Sequence, residues 1–333
     1  MVRQGRRGRV LLLDPPRRRT HLAPVWPLGQ VLAAALNLDA LVESGKLGRE
    51  QVPEPTTEEL FTALERYRVD DGYGPHPGER PVYFDDNAWI GLDFVQCHLQ
   101  AGRDDALAAA RRVMAVVLSG EHPTGGVRWV DRPGSPRNTC ATAPAMQLAL
   151  RLHALEPDSV LFEFAQRCSV FLRDRLLAPS GLLWDHIEAD GTVERTYWTY
   201  NQGTSVSAWA LLAATGDRGA AQLARATLEA TLVHFGPGES DALWRQPPIF
   251  NAVMFRNLLA AAAILPDPDL MKGVREVATG YADRVWREAR DPLTGLLDQG
   301  GIGTYEGSCI DQAGMVQLLA VLALPEELLI EVC

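Results

Sequence analysis

The sequence lacks the marks of several common functions. Its five cysteines (Cys97, Cys140, Cys168, Cys309 and Cys333) form no CxxC pair. That excludes a zinc ribbon or a redox motif and leaves free buried thiols in a reducing compartment as the expectation. His98, His122 and His153 stand apart without HExxH spacing, so neither a zinc protease nor any other metal site is expected. Positive charge is in deficit, with 32 Lys and Arg against 42 Asp and Glu and a net charge of −10. Nucleic acid is therefore not an expected partner. No run approaches the roughly 18 apolar residues of a membrane span. The short Val10–Leu13 run among Arg3, Arg6, Arg7, Arg9 and Arg17 to Arg19 breaks at Asp14-Pro15-Pro16. It falls short of the apolar core of about 7 residues that a secretory signal needs. Residues 1–24 thus read as a basic, poorly ordered tail, and the protein as cytoplasmic. Strand-like alternation of Val, Ile or Thr is almost absent.

Helical periodicity is present throughout. With 333 residues and 47% hydrophobic content the chain can bury a large core, and 25–333 reads as a single domain. Apolar residues at helical spacing, with Ser, Thr, Asp or Asn before them and Gly or Pro after, predict about twelve helices in six pairs. The first members start near residues 28, 87, 138, 202, 249 and 310, a spacing of roughly 47–64 residues, long for a tetratricopeptide or ankyrin array. These helices tend to open with Asn, Gln or Asp (Asn87, Asn138, Asn201-Gln202, Asn251, Asp311-Gln312), and several follow a glycine-aromatic loop. Six helical hairpins closed into a ring would gather one end of every inner helix round a common cleft. The expected fold is all-α, an (α/α)6 barrel of six helical hairpins, with an open α-solenoid as the structural alternative.

The stretch from Pro81 to Asp93, PVYFDDNAWIGLD, places adjacent Asp85 and Asp86 where an aromatic segment gives way to a helical pattern. One reading is a helix cap with a favourable dipole charge. A cap needs only one acid, however, and neighbouring acids repel, which raises one pKa. An acid kept protonated beside one kept ionised is the equipment of a glycosidase.

Phe84 to Trp89 (FDDNAW), taken with Thr199 to Gly203 (TYNQG), resembles glycoside hydrolase family 76, the endo-α-1,6-mannanases, which are (α/α)6 barrels. Looser likenesses are the Gly125–Trp129 loop (GGVRW), Gly181–Asp185 (GLLWD), Phe250–Phe255 and Asp311-Gln312, so the resemblance spans about residues 26–322. It implies retaining hydrolysis, with Asp85 as nucleophile and Asp86 as general acid/base. Asp185 would hold sugar hydroxyls, or else cap the Asp190-Gly191 turn. Asn87, Asn201 and Gln202 would bond hydroxyls at the cleft floor, or else serve only as helix caps. Trp89, Trp129, Trp184, Tyr197, Trp198 and Tyr200 are candidates to face the sugar, against the alternative of core packing. Tyr73 and His76 are candidates for the rim. The implied partner is an oligo- or polysaccharide α-mannoside, and the mechanism requires no cofactor.

Two other readings fit a helical barrel. A sugar epimerase or isomerase would need paired histidine bases, and His186 shows no partner in the sequence. A non-catalytic glycan-binding barrel would keep the aromatics but would not need both acids. Isoprenoid cyclisation fails, because Trp89 stands where the Asp-Asp-x-x-Asp magnesium motif needs its third acid.

Overall fold

In the computed structural model, residues 2–4, 10–12, 22–237, 241–265, 267–297 and 309–332 are described. Side-chain caps hold four of the helix starts among the described residues. Thr56 and Glu59 form a reciprocal capping box, while the Asp158, Asp217 and Asp267 carboxylates accept from first-turn amides. The result is eleven α-helices among the described residues. They are α1 (Val25–Glu43), α2 (Thr57–Leu64), α3 (Phe84–Ala101), α4 (Asp104–Ser119), α5 (Thr139–Leu155), α6 (Ser159–Phe171), α7 (Thr199–Ala214), α8 (Arg218–Phe235), α9 (Pro248–Ile264), α10 (Pro268–Glu288) and α11 (Cys309–Ala323). Gly102 ends α3 in the left-handed region at φ 64°, which favours glycine.

The odd-numbered helices form the inner wall of an (α/α)6 barrel. Each packs on the next, and α11 closes the ring against α1. Helices α5, α7 and α9 are buried round most of their circumference, which their runs of Ala, Ser, Thr and Gly permit. The outer helices α4, α8 and α10 bury only a stripe. The sixth hairpin departs from the expected twelve helices: after α11 there is only a 3-10 turn, Glu326–Leu328. The segment beyond it buries Leu329 and Val332, and the Arg151 guanidinium near the end of α5 donates to the carbonyls of Ile330 and Val332. Contrary to the expectation drawn from apolar runs, α1 is long and apolar enough to span a membrane, with a mean hydropathy of 1.4. It serves here as inner wall, with 61% of that window buried.

Short strands tie the loops at the ends of these helices. Within 1–24, β1 (Val2–Gln4) pairs antiparallel with β2 (Val10–Leu12). β3 (Arg68–Val69) pairs with β4 (Gly72–Tyr73). β5 (Arg137–Asn138), β6 (His186–Ile187) and β7 (Val193–Glu194) form a three-stranded sheet in that order, with Asn138 opposite His186. Cys97, Cys140 and Cys168 are free and buried, Cys309 is free and half-buried, and Cys333 lies outside the described residues, as does most of the Gly295–Gly303 loop.

One device recurs in five of the six inner helices. The fourth residue of each reaches back to the main chain of the preceding loop. Asn87 accepts from Tyr73 N–H at 2.8 Å and donates to its carbonyl at 3.0 Å. Thr142 accepts from Val127, Gln202 brackets Leu183 at 2.7 and 3.0 Å, Asn251 donates to Leu243, and Gln312 brackets Leu297 at 3.0 and 2.7 Å. The segments between helices thereby have buried main-chain polar groups paired.

Candidate active site

The inner helices all present their N-termini to one end of the barrel, and the residues of their first turns line a cavity of about 780 Å³ there. Trp26, Asp85, Cys140, Tyr200 and Ile310 are the second residues of α1, α3, α5, α7 and α11, and Phe250 is the third of α9. Loops add Pro75, His76, Tyr83, Trp129, Pro136, Asp185, His186 and Glu188 to the wall. Six helix N-termini favour negative charge, by about 0.3–1 kcal/mol each at an exposed end.

Asp85 and Asp86 sit side by side in this wall. Neither is the helix cap: that position is Tyr83, which makes no side-chain cap bond. Their environments differ. Asp85 Oδ2 accepts from the Trp129 indole Nε1–H at 3.0 Å and from the Cys140 thiol at 3.6 Å. Its Oδ1 is buried with no partner. Burial pushes the Asp85 carboxyl up to about 6, opposed by hydrogen bonds from the Asp86 amide, Trp129 and Cys140. Asp86 receives no such donors. Burial, and then the adjacent Asp85 charge, hold it well above the usual carboxylate range.

Asp185 faces the same cavity, fixed from both sides. Its Oδ1 accepts from Asn201 Nδ2 at 3.0 Å, and its Oδ2 lies 2.8 Å from His186 Nδ1. The other imidazole nitrogen is 3.1 Å from Glu188. Burial works against a charge on His186, but the two carboxylates outweigh it and raise its pKa. His76 and His186 both line the cavity, yet both nitrogens of the His186 imidazole are engaged by acids, Asp185 and Glu188, which leaves it poorly placed as an epimerase base.

The aromatic candidates divide. Trp129 is 37% exposed and packs edge-on against Tyr83. Trp89 is almost buried, with the Arg256 guanidinium 5.8 Å from its ring, but one edge reaches the cavity. Tyr200 lies on the floor, 4.2 Å from the Phe250 ring. Trp184, Tyr197 and Trp198 do not line the cavity: Trp184 faces Arg195, Tyr197 meets His234, and Trp198 packs on Phe250. Tyr73 is buried in the core.

Two of the polar candidates face away. The Asn87 and Gln202 amides are fully buried, with every hydrogen bond directed to loop main chain, so neither is free to meet a sugar. Asn201 meets the cavity only through Asp185. Sequence reasoning missed Cys140 and Asn138. Asn138 lines the cavity with a buried, unpartnered Oδ1. The signal available was position, since Cys140 stands in α5 where Asp85 stands in α3. Among the described residues no cluster of three or more His, Cys, Asp or Glu suits a metal ion.

An all-α barrel that brings two adjacent, unlike acids into an aromatic-walled cleft at its inner-helix N-termini defines a glycoside hydrolase of the helical-barrel class. The family model described as Glycosyl hydrolase family 76 matches residues 18–331, and the chain belongs to that family. Meiotically up-regulated gene 191 protein of Schizosaccharomyces pombe is 24% identical over 314 residues, covering 84% of this chain and 69% of its own length. A family 76 glycoside hydrolase from a bovine Bacteroides thetaiotaomicron strain superposes with a TM-score of 0.79 at 25% identity, covering 96% of this chain and 74% of that one. An inactive variant of the α-1,6-mannanase GH76A of Salegentibacter sp. HEL1_6, with two consecutive aspartates replaced by asparagine, is similar in fold. It was solved in complex with α-1,6-mannotriose, with a TM-score of 0.76 and 21% identity over 94% of this chain and 92% of that one.

Proposed function

We propose that this glycoside hydrolase acts on mannans, cleaving α-1,6-mannosidic linkages with retention of anomeric configuration. The observation that carries the reading is the difference between the two acids. Asp85, supplied with hydrogen-bond donors, is the one kept ionised and is the nucleophile. Asp86, half-buried beside that charge and without donors, is the one kept protonated. Asp85 attacks the anomeric carbon while Asp86 gives its proton to the departing glycosidic oxygen. Asp86, now a carboxylate, takes a proton from the water that attacks the same carbon, and the Asp85 ester is released. Asp185 accepts from sugar hydroxyls, and Trp89, Trp129 and Tyr200 offer ring faces and edges to the pyranose. The α-1,6 linkage is supported by the mannotriose-bound structural relative.

The test is hydrolysis of α-1,6-, α-1,2- and α-1,3-linked manno-oligosaccharides, with product anomers followed by NMR. The expected result is cleavage of the α-1,6 substrate with retention. Asp85→Asn and Asp86→Asn should each lose roughly 10³-fold or more in kcat/KM. Inverted product, or activity surviving in Asp85→Asn, would overturn the mechanism.

A further inference from the structure

Taking Asp85 as the nucleophile, we propose that Cys140 and Tyr200, together with Trp129, are positioning residues that select Oδ1 of Asp85 as the attacking atom. The three side chains Asp85, Cys140 and Tyr200 occupy the same place, the second residue, in three consecutive inner helices. They form a chain across the cavity floor. The Tyr200 hydroxyl neighbours the Cys140 sulfur and acts on the thiol in the sense of a donor, lowering its pKa against the effect of burial. The thiol itself sits 3.6 Å from Asp85 Oδ2. The indole Nε1–H of Trp129 reaches that same oxygen at 3.0 Å. Oδ1 is left buried without a partner, so the two oxygens of one carboxylate are chemically unequal.

The arrangement fits both halves of a double displacement. A lone pair engaged by two donors is less available for attack, so the new bond to the anomeric carbon forms at Oδ1. Oδ2 then becomes the carbonyl oxygen of the glycosyl ester and keeps its donors. When water displaces Asp85, charge returns to the carboxylate, and donors already aimed at Oδ2 stabilise it. A thiol is a weak donor, which steadies the carboxylate without quenching it. The Tyr200 hydroxyl supplies the direction: by donating to sulfur it leaves the S–H free to point at Oδ2. The phenol is buried among Cys140, Asp185 and Asp85, which keeps its proton on.

The ionisable groups that share this cavity with Asp85 are Asp86 on its own helix, His76 and Tyr83 from the loop before α3, Cys140 on α5, Tyr200 on α7, Cys309 at the start of α11, and Asp185 with His186 and Glu188 from the segment before α7. None of the residues lining this cavity is a lysine or an arginine. Loss of a donor to Oδ2 therefore has no lysine or arginine in the wall to offset it, and His186 is already engaged by Asp185 and Glu188, so the loss must appear in the titration of Asp85.

The experiment compares wild type with Cys140→Ala, Cys140→Val, Cys140→Ser and Tyr200→Phe on α-1,6-mannotetraose, recording kcat, KM and the pH profile of kcat/KM. The alanine and valine variants should lose roughly 10-fold or more in kcat with KM changed by less than about twofold. The acidic limb of their profiles should move up by about half a pH unit or more. Cys140→Ser, which keeps a donor, should recover to within about threefold of wild type. Tyr200→Phe should shift the acidic limb in the same direction by less. Valine fills the space of cysteine without donating, so a valine variant as active as the serine one overturns the proposal. An acidic limb unmoved in both Cys140→Ala and Tyr200→Phe overturns it equally. Activity surviving in Asp85→Asn is a different outcome, which refutes the nucleophile assignment itself.

Discussion

At the scale of single residues, the two adjacent acids proposed as the catalytic pair are held in a state that weakens the fold. Asp86 binds its proton more tightly folded than unfolded, because burial and then Asp85 raise its pKa. Its contribution to stability is therefore fully present below about pH 4, the unfolded value, and is lost as pH rises through the folded pKa. An asparagine in its place would carry no such penalty. The variant Asp86→Asn should thus melt above wild type at pH 7–8, with the two curves converging toward pH 4. A thermal-shift series across that range checks it, and a constant offset at all pH values would contradict the linkage. The same shifts set the activity profile. Cleavage should rise as pH climbs through about 6, where Asp85 ionises, and fall at higher pH as Asp86 loses its proton. Trp129→Phe, which keeps the ring but removes the donor to Oδ2, should move the rising limb upward. The two acids were legible in the sequence because helix pattern, adjacency and family likeness converge on them. Cys140 was not, because cysteines are read by their spacing from one another, and its partner is a carboxylate on a different helix.

At the scale of elements, the opening Asn and Gln of the inner helices show how one sequence signal serves two tasks. Polar residues in a first turn beside a cleft look like sugar ligands, and Asn87 and Gln202 invite that reading. Their position decides otherwise. In five of the six inner helices the second residue points into the cavity, whereas the fourth lies back under the loop, where an amide can bracket a peptide group. Gln202→Leu would leave the Leu183 N–H and carbonyl unpaired in the interior. It should cost about 2–4 kcal/mol of stability, measurable by urea denaturation, because each buried orphan costs roughly 1–3 kcal/mol. It should also lower activity, since the loop that follows Leu183 carries Asp185. The outer element of the sixth hairpin was the least legible. Pro325 and the two glutamates after it permit a 3-10 turn where the pairing rule asks for a helix.

At the scale of the whole molecule, the cleft exists because six helices meet in a closed ring, and closure depends on contacts distant in sequence. Gln317 of α11 donates to the Gln30 carbonyl of α1 at 2.7 Å and accepts from Arg256 of α9 at 2.8 Å, joining three inner helices. Elsewhere the ring closes by absence of side chain. A Cβ added to Gly203 of α7 would meet the Met254 main chain of α9 at 2.6 Å. A Cβ on Gly314 of α11 would lie 2.8 Å from Ile249 Cα. Glycine in a sequence is read first as a turn or a breaker, and nothing local distinguishes these positions from a helix weakened by chance. Gly280 of α10 supplies the comparison, being helical, exposed and free of neighbours within 4 Å. At that site alanine should stabilise by about 0.5–1 kcal/mol, because glycine loses more conformational freedom in a helix. At Gly203 the same gain is opposed by an overlap with backbone, which cannot rotate away as a side chain can. Gly203→Ala should therefore destabilise by about 1–3 kcal/mol or more. It should also lower kcat, because pushing α9 away from α7 separates Phe250 from Tyr200 on the cavity floor. Opposite signs for one substitution at two helical glycines, read by denaturation under the same conditions, would establish that the inner wall is held at backbone contact. Equal signs would mean that the ring has room to breathe.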